Sequence, residues 1–573
     1  MIFQMIKKKK ISIYVYYYSI LTCSFLMASQ SSEHNNTGKG RILSIMRNAE
    51  SGDTSCINKT AIVETNDLSR DLNIEEIAAF FDCKTFCGHS YLVEMLKSPL
   101  SKNQIDSLVA RQEAIKTLVD NPNLLAQVRE LTANASANEK DVIDLMSDLF
   151  IGRACPAIVE LEKLKIDNPF LYKCFHFLTC NPTAINLSYC IGFSENIYHS
   201  YYIMNKLFSA YKNGNLIKEN QEIIIHLIAK AWDIYILRQM LSKANEKRLK
   251  LHSLNQLIDT AEKLELLCAG HLIKTEFKLS EIESLEGKEI VNELKHSRYK
   301  RKNEIFFLAP QVDAFLFKLY NNDKHLAKLF SSIAELDVYS ALATKIVESQ
   351  ASSNKLCFSK FLNEENPRID ASCFWNLIVP KAVTNSLLLD NNVILTGPNA
   401  GGKSTTIKSI LQNIILAQSF GIAAGEKFDF TPFDVIHSYL NVSDDLVNGL
   451  SLFASEVKRA QEILQTIKKL DVNQKFFFAL DELFTGTAAE DGEVCACDFV
   501  QRIGDFKNNL FIYATHFNKL KELASNSKSF TNLKIDAPIK NSDGKLVYPF
   551  TLSPGASYSR VALDIAREAN LFS

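Results

Sequence analysis

Thr396-Gly-Pro-Asn-Ala-Gly-Gly-Lys-Ser-Thr405 is the stretch on which the fold of this 573-residue chain turns. It follows the apolar run Asn392-Val-Ile-Leu395. It opens onto Thr406-Ile-Lys-Ser-Ile-Leu-Gln-Asn-Ile-Ile-Leu416, whose apolar residues recur at helical spacing. Strand, glycine loop and helix in that order are the context a phosphate-binding loop requires. Gly397, Gly401 and Gly402 let the backbone curl and bring its N–H groups close to phosphate oxygens. The helix N-terminus adds its positive dipole end at the same place. In such a loop Lys403 reaches the β- and γ-phosphates and the Ser404 hydroxyl holds Mg²⁺. A plain glycine-rich turn is the alternative, and the flanking strand and helix weigh against it.

Working outward, Lys475-Phe-Phe-Phe-Ala-Leu-Asp481-Glu482 is an apolar run ending in two acids, the pattern of a buried parallel strand. Asp481 at the strand's end can bind Mg²⁺ through its water shell, and Glu482 is then placed to act as general base on a water. Two solvated acids at a strand exit would give the same letters. A third strand, Asn509-Leu-Phe-Ile-Tyr-Ala514, ends at Thr515-His516. His516 can contact a γ-phosphate there, although strand-end histidines also serve structure alone. These residues call for the phosphates of a nucleotide and for Mg²⁺ as the ligands.

The loop's full wording, Gly397-Pro-Asn-Ala-Gly-Gly-Lys-Ser-Thr405, resembles the ATPase domain of the MutS DNA mismatch repair family. Further blocks agree in order: Ser443-Asp-Asp-Leu-Val-Asn-Gly-Leu-Ser-Leu-Phe-Ala-Ser-Glu456, Asp481-Glu-Leu-Phe-Thr-Gly-Thr487 with Asp491-Gly492, Ala514-Thr-His-Phe517, and Leu552-Ser-Pro-Gly-Ala-Ser-Tyr-Ser559. The resemblance assigns roles that spacing could not. It places Asn399 near the γ-phosphate, within a nucleotide cradle of Gly397, Pro398, Asn399, Ala400, Gly401, Gly402, Lys403, Ser404 and Thr405. Val383 and Asn385 fall around the adenine. Ser451 corresponds to the serine presented in trans to a neighbouring subunit's ATP, which implies composite sites in a homodimer. Departures from the pattern are Ala382 where an aromatic ring is common, Leu450 and Thr485 where arginines are usual, and Arg560 for a common glycine.

Upstream, Phe81-Asp-Cys-Lys-Thr-Phe-Cys-Gly-His-Ser-Tyr-Leu92 is similar to the start of the family's helical core, and Ile333-Ala-Glu-Leu-Asp-Val-Tyr-Ser-Ala-Leu342 to its lever. Between them Leu251, Leu254, Leu257, Ile258, Ala261 and Leu264 give one apolar helical face, and residues 220–241 read as another long helix. Basic clusters at Lys243, Lys247, Arg248 and Lys250, and at Lys295, Arg298, Lys300, Arg301 and Lys302, lie where MutS proteins insert a DNA clamp. Such side chains grip phosphates without reading bases; a solvated helix face is the alternative, since Glu246 and Glu304 interrupt them. The expectation is a reduced member, without an N-terminal mismatch-reading domain carrying a Phe-x-Glu wedge before residue 72 and without the family's C-terminal dimerisation extension.

The apolar fraction of 47% and the charged fraction of 23% are those of a globular protein, and a net charge of −1 gives no overall footprint for nucleic acid. Thirteen cysteines without a Cys-x-x-Cys pair suggest reduced thiols rather than zinc or disulfides. Lys7-Lys-Lys-Lys10 followed by the uncharged run 11–28 looks like a signal peptide or anchor. Either translation starts at Met27 and the protein is cytoplasmic, or the segment anchors it to a membrane. The expected architecture is multidomain, α plus α/β. Residues 29–71 form a linker, 72–375 a helical core and lever, and 376–573 a C-terminal P-loop, ABC-like ATPase domain. The expected function is ATP-dependent DNA binding of the MutS type, structure-selective rather than mismatch-reading, with other repair or recombination proteins as further partners. An ATP-driven mechanical or scaffold protein acting on a protein partner is the alternative.

Overall fold

The computed structural model describes residues 71–150, 245–271, 273–275, 323–440, 452–469, 474–542 and 545–558, with the isolated residues 68, 242, 292 and 319. Among them two compact units separate, one drawing on the 133–265 and 277–333 stretches, the other on 54–132, 266–276 and 334–573. The first unit is helical where described. Leu251, Leu254, Leu257, Ile258, Ala261 and Leu264 are each at most 3% exposed, so the stripe expected from spacing is a buried face. Ser253 Oγ donates to Asp141 Oδ2 at 2.8 Å, within the helix Pro122–Phe150. The expected helix over 220–241, the cluster 295–302 and the segment 1–67 lie outside the described residues.

The second unit is built on a six-stranded sheet. In spatial order its strands are Leu552–Pro554, Phe530–Ile535, Asn392–Thr396, Asn509–Ala514, Phe476–Asp481 and Val435–Tyr439. All neighbours are parallel except the first pair. Parallel strands covered on both faces need unbroken apolar runs, and Val393, Ile394, Leu395, Phe477, Phe478, Ala479 and Leu480 are at most 1% exposed. The register pairs Leu395 with Ala514 and Ala514 with Asp481, so three strands end level with one another. Ligands of open α/β sheets bind at such carboxyl ends.

The helix Lys403–Phe420 is buried on nearly every side. Its interior polar residues tie down neighbouring loops. Asn413 Oδ1 accepts from Ala424 N at 2.6 Å, and Gln418 Nε2 donates to Leu100 O at 2.8 Å and Phe433 O at 2.9 Å. Arg111 Nη1 donates to Ser419 O at 3.0 Å, and Ser419 Oγ to Met95 O at 3.0 Å. The N-terminal helices Phe86–Lys97 and Ile105–Asp120 therefore belong to the same unit as the sheet. Strands also begin earlier than the sequence suggests, at Leu356–Phe358 and Ile369–Phe374, inside the span read as helical. Their partners are distant: Ile422–Ala424 for the first, Asn385–Leu389 and Lys427–Phe430 for the second. Short strands paired at such range leave little periodic signal.

Candidate active site

Three strand ends bring the sequence-derived residues together. Glu482 N donates to Ala514 O at 3.0 Å, and Thr515 N to Leu395 O at 3.0 Å, which stitches the exits of the three strands side by side. From the first strand the glycine loop turns into its helix through Ala400 at φ 60° and Gly402 at φ 99°. Lys403, 6% exposed, then reaches back over the loop. Its Nζ lies 3.4 Å from Gly397 O, 3.5 Å from Pro398 O, 2.9 Å from His516 Nε2 and 3.4 Å from Glu482 Oε1.

His516 Nε2 also lies 2.7 Å from Glu482 Oε1. One nitrogen cannot do both jobs at once. When it carries a proton it donates to Glu482, and when it does not it accepts from Lys403. The hydrogen bond from His516 holds the Glu482 carboxyl below its ordinary range despite partial burial, and the Lys403 charge adds to the effect. Burial pushes the neighbouring Asp481 the other way, opposed by a hydrogen bond from Ser404. Adjacent acids are thus driven apart in acidity, Glu482 toward the ionised form and Asp481 toward the protonated one.

The donor set fits a hard cation. Asp481 Oδ1 is buried without a hydrogen-bond partner, while the same carboxyl is bonded to Ser404. A single carboxylate and a hydroxyl beside a phosphate loop are what Mg²⁺ takes from a protein when it shares its shell with substrate phosphates. Ser404 and Asp481 would hold it.

Val383 is 43% exposed and its neighbour Ala382 is buried. The Asn385 side chain is engaged at both ends, donating to Phe550 O at 3.1 Å and accepting from Leu552 N at 2.7 Å. Phe550 is a residue that the sequence reading missed. A Cβ on Gly402 would meet its ring at 3.1 Å, and the ring stacks on Tyr548 at 5.8 Å and 19°. Phe550 lies far along the chain from the loop, and nothing in its local sequence marks it. Ser451 lies outside the described residues. In the first basic cluster, Arg248 is buried and bonded to Asn245 at 3.1 Å, and Lys250 is paired with Glu246 at 2.9 Å. Among the described residues no helix is long and apolar enough to cross a membrane, and the segment 11–28 lies outside them.

A mostly parallel sheet whose strand ends carry a glycine loop, an acid pair and a histidine makes this part of the chain an α/β unit. Residues 393–573 match the family model described as MutS domain V. A DNA mismatch repair protein MutS of Lactobacillus acidophilus is 29% identical over 255 residues, covering 43% of this chain and 28% of that protein. A DNA mismatch repair protein MutS of Streptococcus agalactiae is 26% identical over 296 residues, covering 50% and 32%. The C-terminal half thus fits a member of the MutS family, as the motifs imply. The chain spans about a third of the length of the curated relatives it matches.

Proposed function

We propose that this chain is an Mg²⁺-dependent ATPase of the MutS type, working as a homodimer on DNA. The convergence of Lys403, Asp481, Glu482 and His516 on one set of strand ends carries the reading. The loop Gly397–Thr405 would cradle the phosphates, with Lys403 leaving Glu482 and His516 to meet them. Bound Mg²⁺ would offset phosphate charge. Glu482, freed of the lysine and kept ionised by His516, takes a proton from the attacking water. Val383 and Asn385 lie toward the base, where Phe550 offers the ring face that Ala382 lacks. Ser451 would complete the partner's site. Residues 72–375 would act as core and lever for the ATPase part 376–573, in the cytoplasm, with DNA held through its phosphates.

Hydrolysis of ATP with and without Mg²⁺ tests the reading. Glu482→Gln removes the base and keeps the cradle, so turnover falls by about 100-fold or more while nucleotide binding persists. Lys403→Ala weakens binding itself. Undiminished turnover in Glu482→Gln rules out the assigned base.

A further inference from the structure

The loop leaving the acid pair is gripped from one side by a carboxylate with no place in the chemistry above. Glu456, in the second turn of the helix Leu452–Lys469, is 1% exposed. Its Oε1 accepts from Thr485 N at 3.1 Å, and its Oε2 from Gly486 N at 3.0 Å. The Thr485 hydroxyl has one proton to give. It lies 3.1 Å from Glu482 O and 3.4 Å from Glu456 Oε1, and the shorter contact leads to the backbone of the base. Glu482 and Phe484, on either side of Leu483, have φ of 52° and 69°. Side-chain-bearing residues hold that left-handed conformation where their surroundings over-determine it. Two charge-assisted bonds from a buried carboxylate supply such a constraint.

The closeness of the two parts is independent support. A Cβ on Gly486 would lie 2.8 Å from Phe453 N, 2.9 Å from Leu452 Cγ and 3.0 Å from Glu456 Oε2, so the loop lies directly on the helix's first turns. Thr485 also stands where the MutS pattern has arginine, a side chain without a hydroxyl. The bond to Glu482 O is therefore a feature of this chain rather than of the pattern.

We propose that Glu456 is a positioning residue for Glu482: it locks residues 485–486, and the Thr485 hydroxyl passes that constraint to the backbone of the base. The inference rests on the ATPase reading. Burying a carboxylate costs free energy that its bonds must offset, and here those bonds set the direction of Glu482. A base displaced by an ångström loses turnover without losing the cradle that binds nucleotide.

The test compares Thr485→Val, Thr485→Ser and Glu456→Gln in the full chain, with thermal unfolding as a check on folding. Thr485→Val keeps the shape and the backbone N–H but drops the hydroxyl. Its kcat falls by about 10- to 100-fold with KM within about threefold, and Thr485→Ser restores most of the loss. In Glu456→Gln the amide group faces an N–H donor, so amide hydrogen exchange at Thr485 and Gly486 speeds up by about tenfold or more without nucleotide. A kcat for Thr485→Val within about twofold of wild type, or a loss carried equally by KM, overturns the relay while leaving the ATPase reading in place. If the wild-type chain hydrolyses no ATP, the ATPase reading falls instead. The exchange measurement then decides the clamp, and unchanged exchange in Glu456→Gln overturns it.

Discussion

A side chain added at Gly402 is the most direct probe of the loop at the scale of one residue. The φ of 99° suits glycine, and a Cβ would meet the Phe550 ring at 3.1 Å. Gly402→Ala therefore carries backbone strain of about 1–2 kcal/mol, at the residue that starts the Lys403 helix. The expected outcome is a lower thermal midpoint together with nucleotide binding weakened about tenfold, since 1.4 kcal/mol is a factor of ten. Midpoint and affinity both equal to wild type would show that the loop tolerates a Cβ here. The same scale explains what spacing could and could not reveal. Lys403, Asp481, Glu482 and His516 are each marked by a run of local letters, whereas Phe550 and the Glu456–Thr485 contact depend on side chains from segments far apart. No local pattern encodes a ring lying over a glycine.

Helix ends carry the clearest prediction among the elements. The helix Phe86–Lys97 starts at Thr85, whose hydroxyl accepts from Gly88 N at 2.8 Å. Behind it Asp337 accepts from Lys84 N at 3.1 Å, Thr85 N at 2.8 Å and Thr85 Oγ1 at 2.8 Å, with Arg129 Nη1 at 3.6 Å. Burial pushes the Asp337 carboxyl above its ordinary value of 3.8, against the pull of those bonds. A raised native pKa means that the folded chain keeps a proton the unfolded chain has released. Its contribution is then fully present below about pH 3.8 and is lost as pH rises through the native value. Asp337→Asn removes that slope, so the stability of wild type relative to the variant should fall as pH is raised from 3.8. Denaturant unfolding across a pH series checks it, and a wild-type advantage that grows with pH contradicts it. The elements themselves were legible to different degrees. The apolar runs 392–396, 476–481 and 509–514 announced buried parallel strands. The strands between 356 and 374 did not, because their order comes from partners eleven or more residues away, and the match of Leu251 to Leu264 with a buried face shows the opposite case of a purely local period.

At the scale of the whole molecule, composite sites and DNA contacts make two predictions that rest on the proposed function. Homodimers of Lys403→Ala and of Ser451→Ala should each be nearly inactive. A one-to-one mixture places an intact Lys403 site opposite an intact Ser451 in half of the dimers, at one of their two sites, restoring about a quarter of wild-type activity. Activity that stays at the level of either variant argues against completion in trans. DNA contact must come from local charge, because the chain's formal net charge is −1. Arg248 and Lys250 have protein partners, and the prediction is made for the second cluster, Lys295, Arg298, Lys300, Arg301 and Lys302, which lies outside the described residues. Each phosphate contact releases counterions and steepens the fall of binding with salt by about 0.9 in the logarithmic slope. Neutralising Arg298, Arg301 and Lys302 together should therefore flatten the slope by roughly 2–3. Affinity for homoduplex, mismatched and four-way DNA should drop by similar factors, because phosphates carry no base information. An unchanged slope in the triple variant, or a loss confined to mismatched DNA, would move the contact surface elsewhere on the chain.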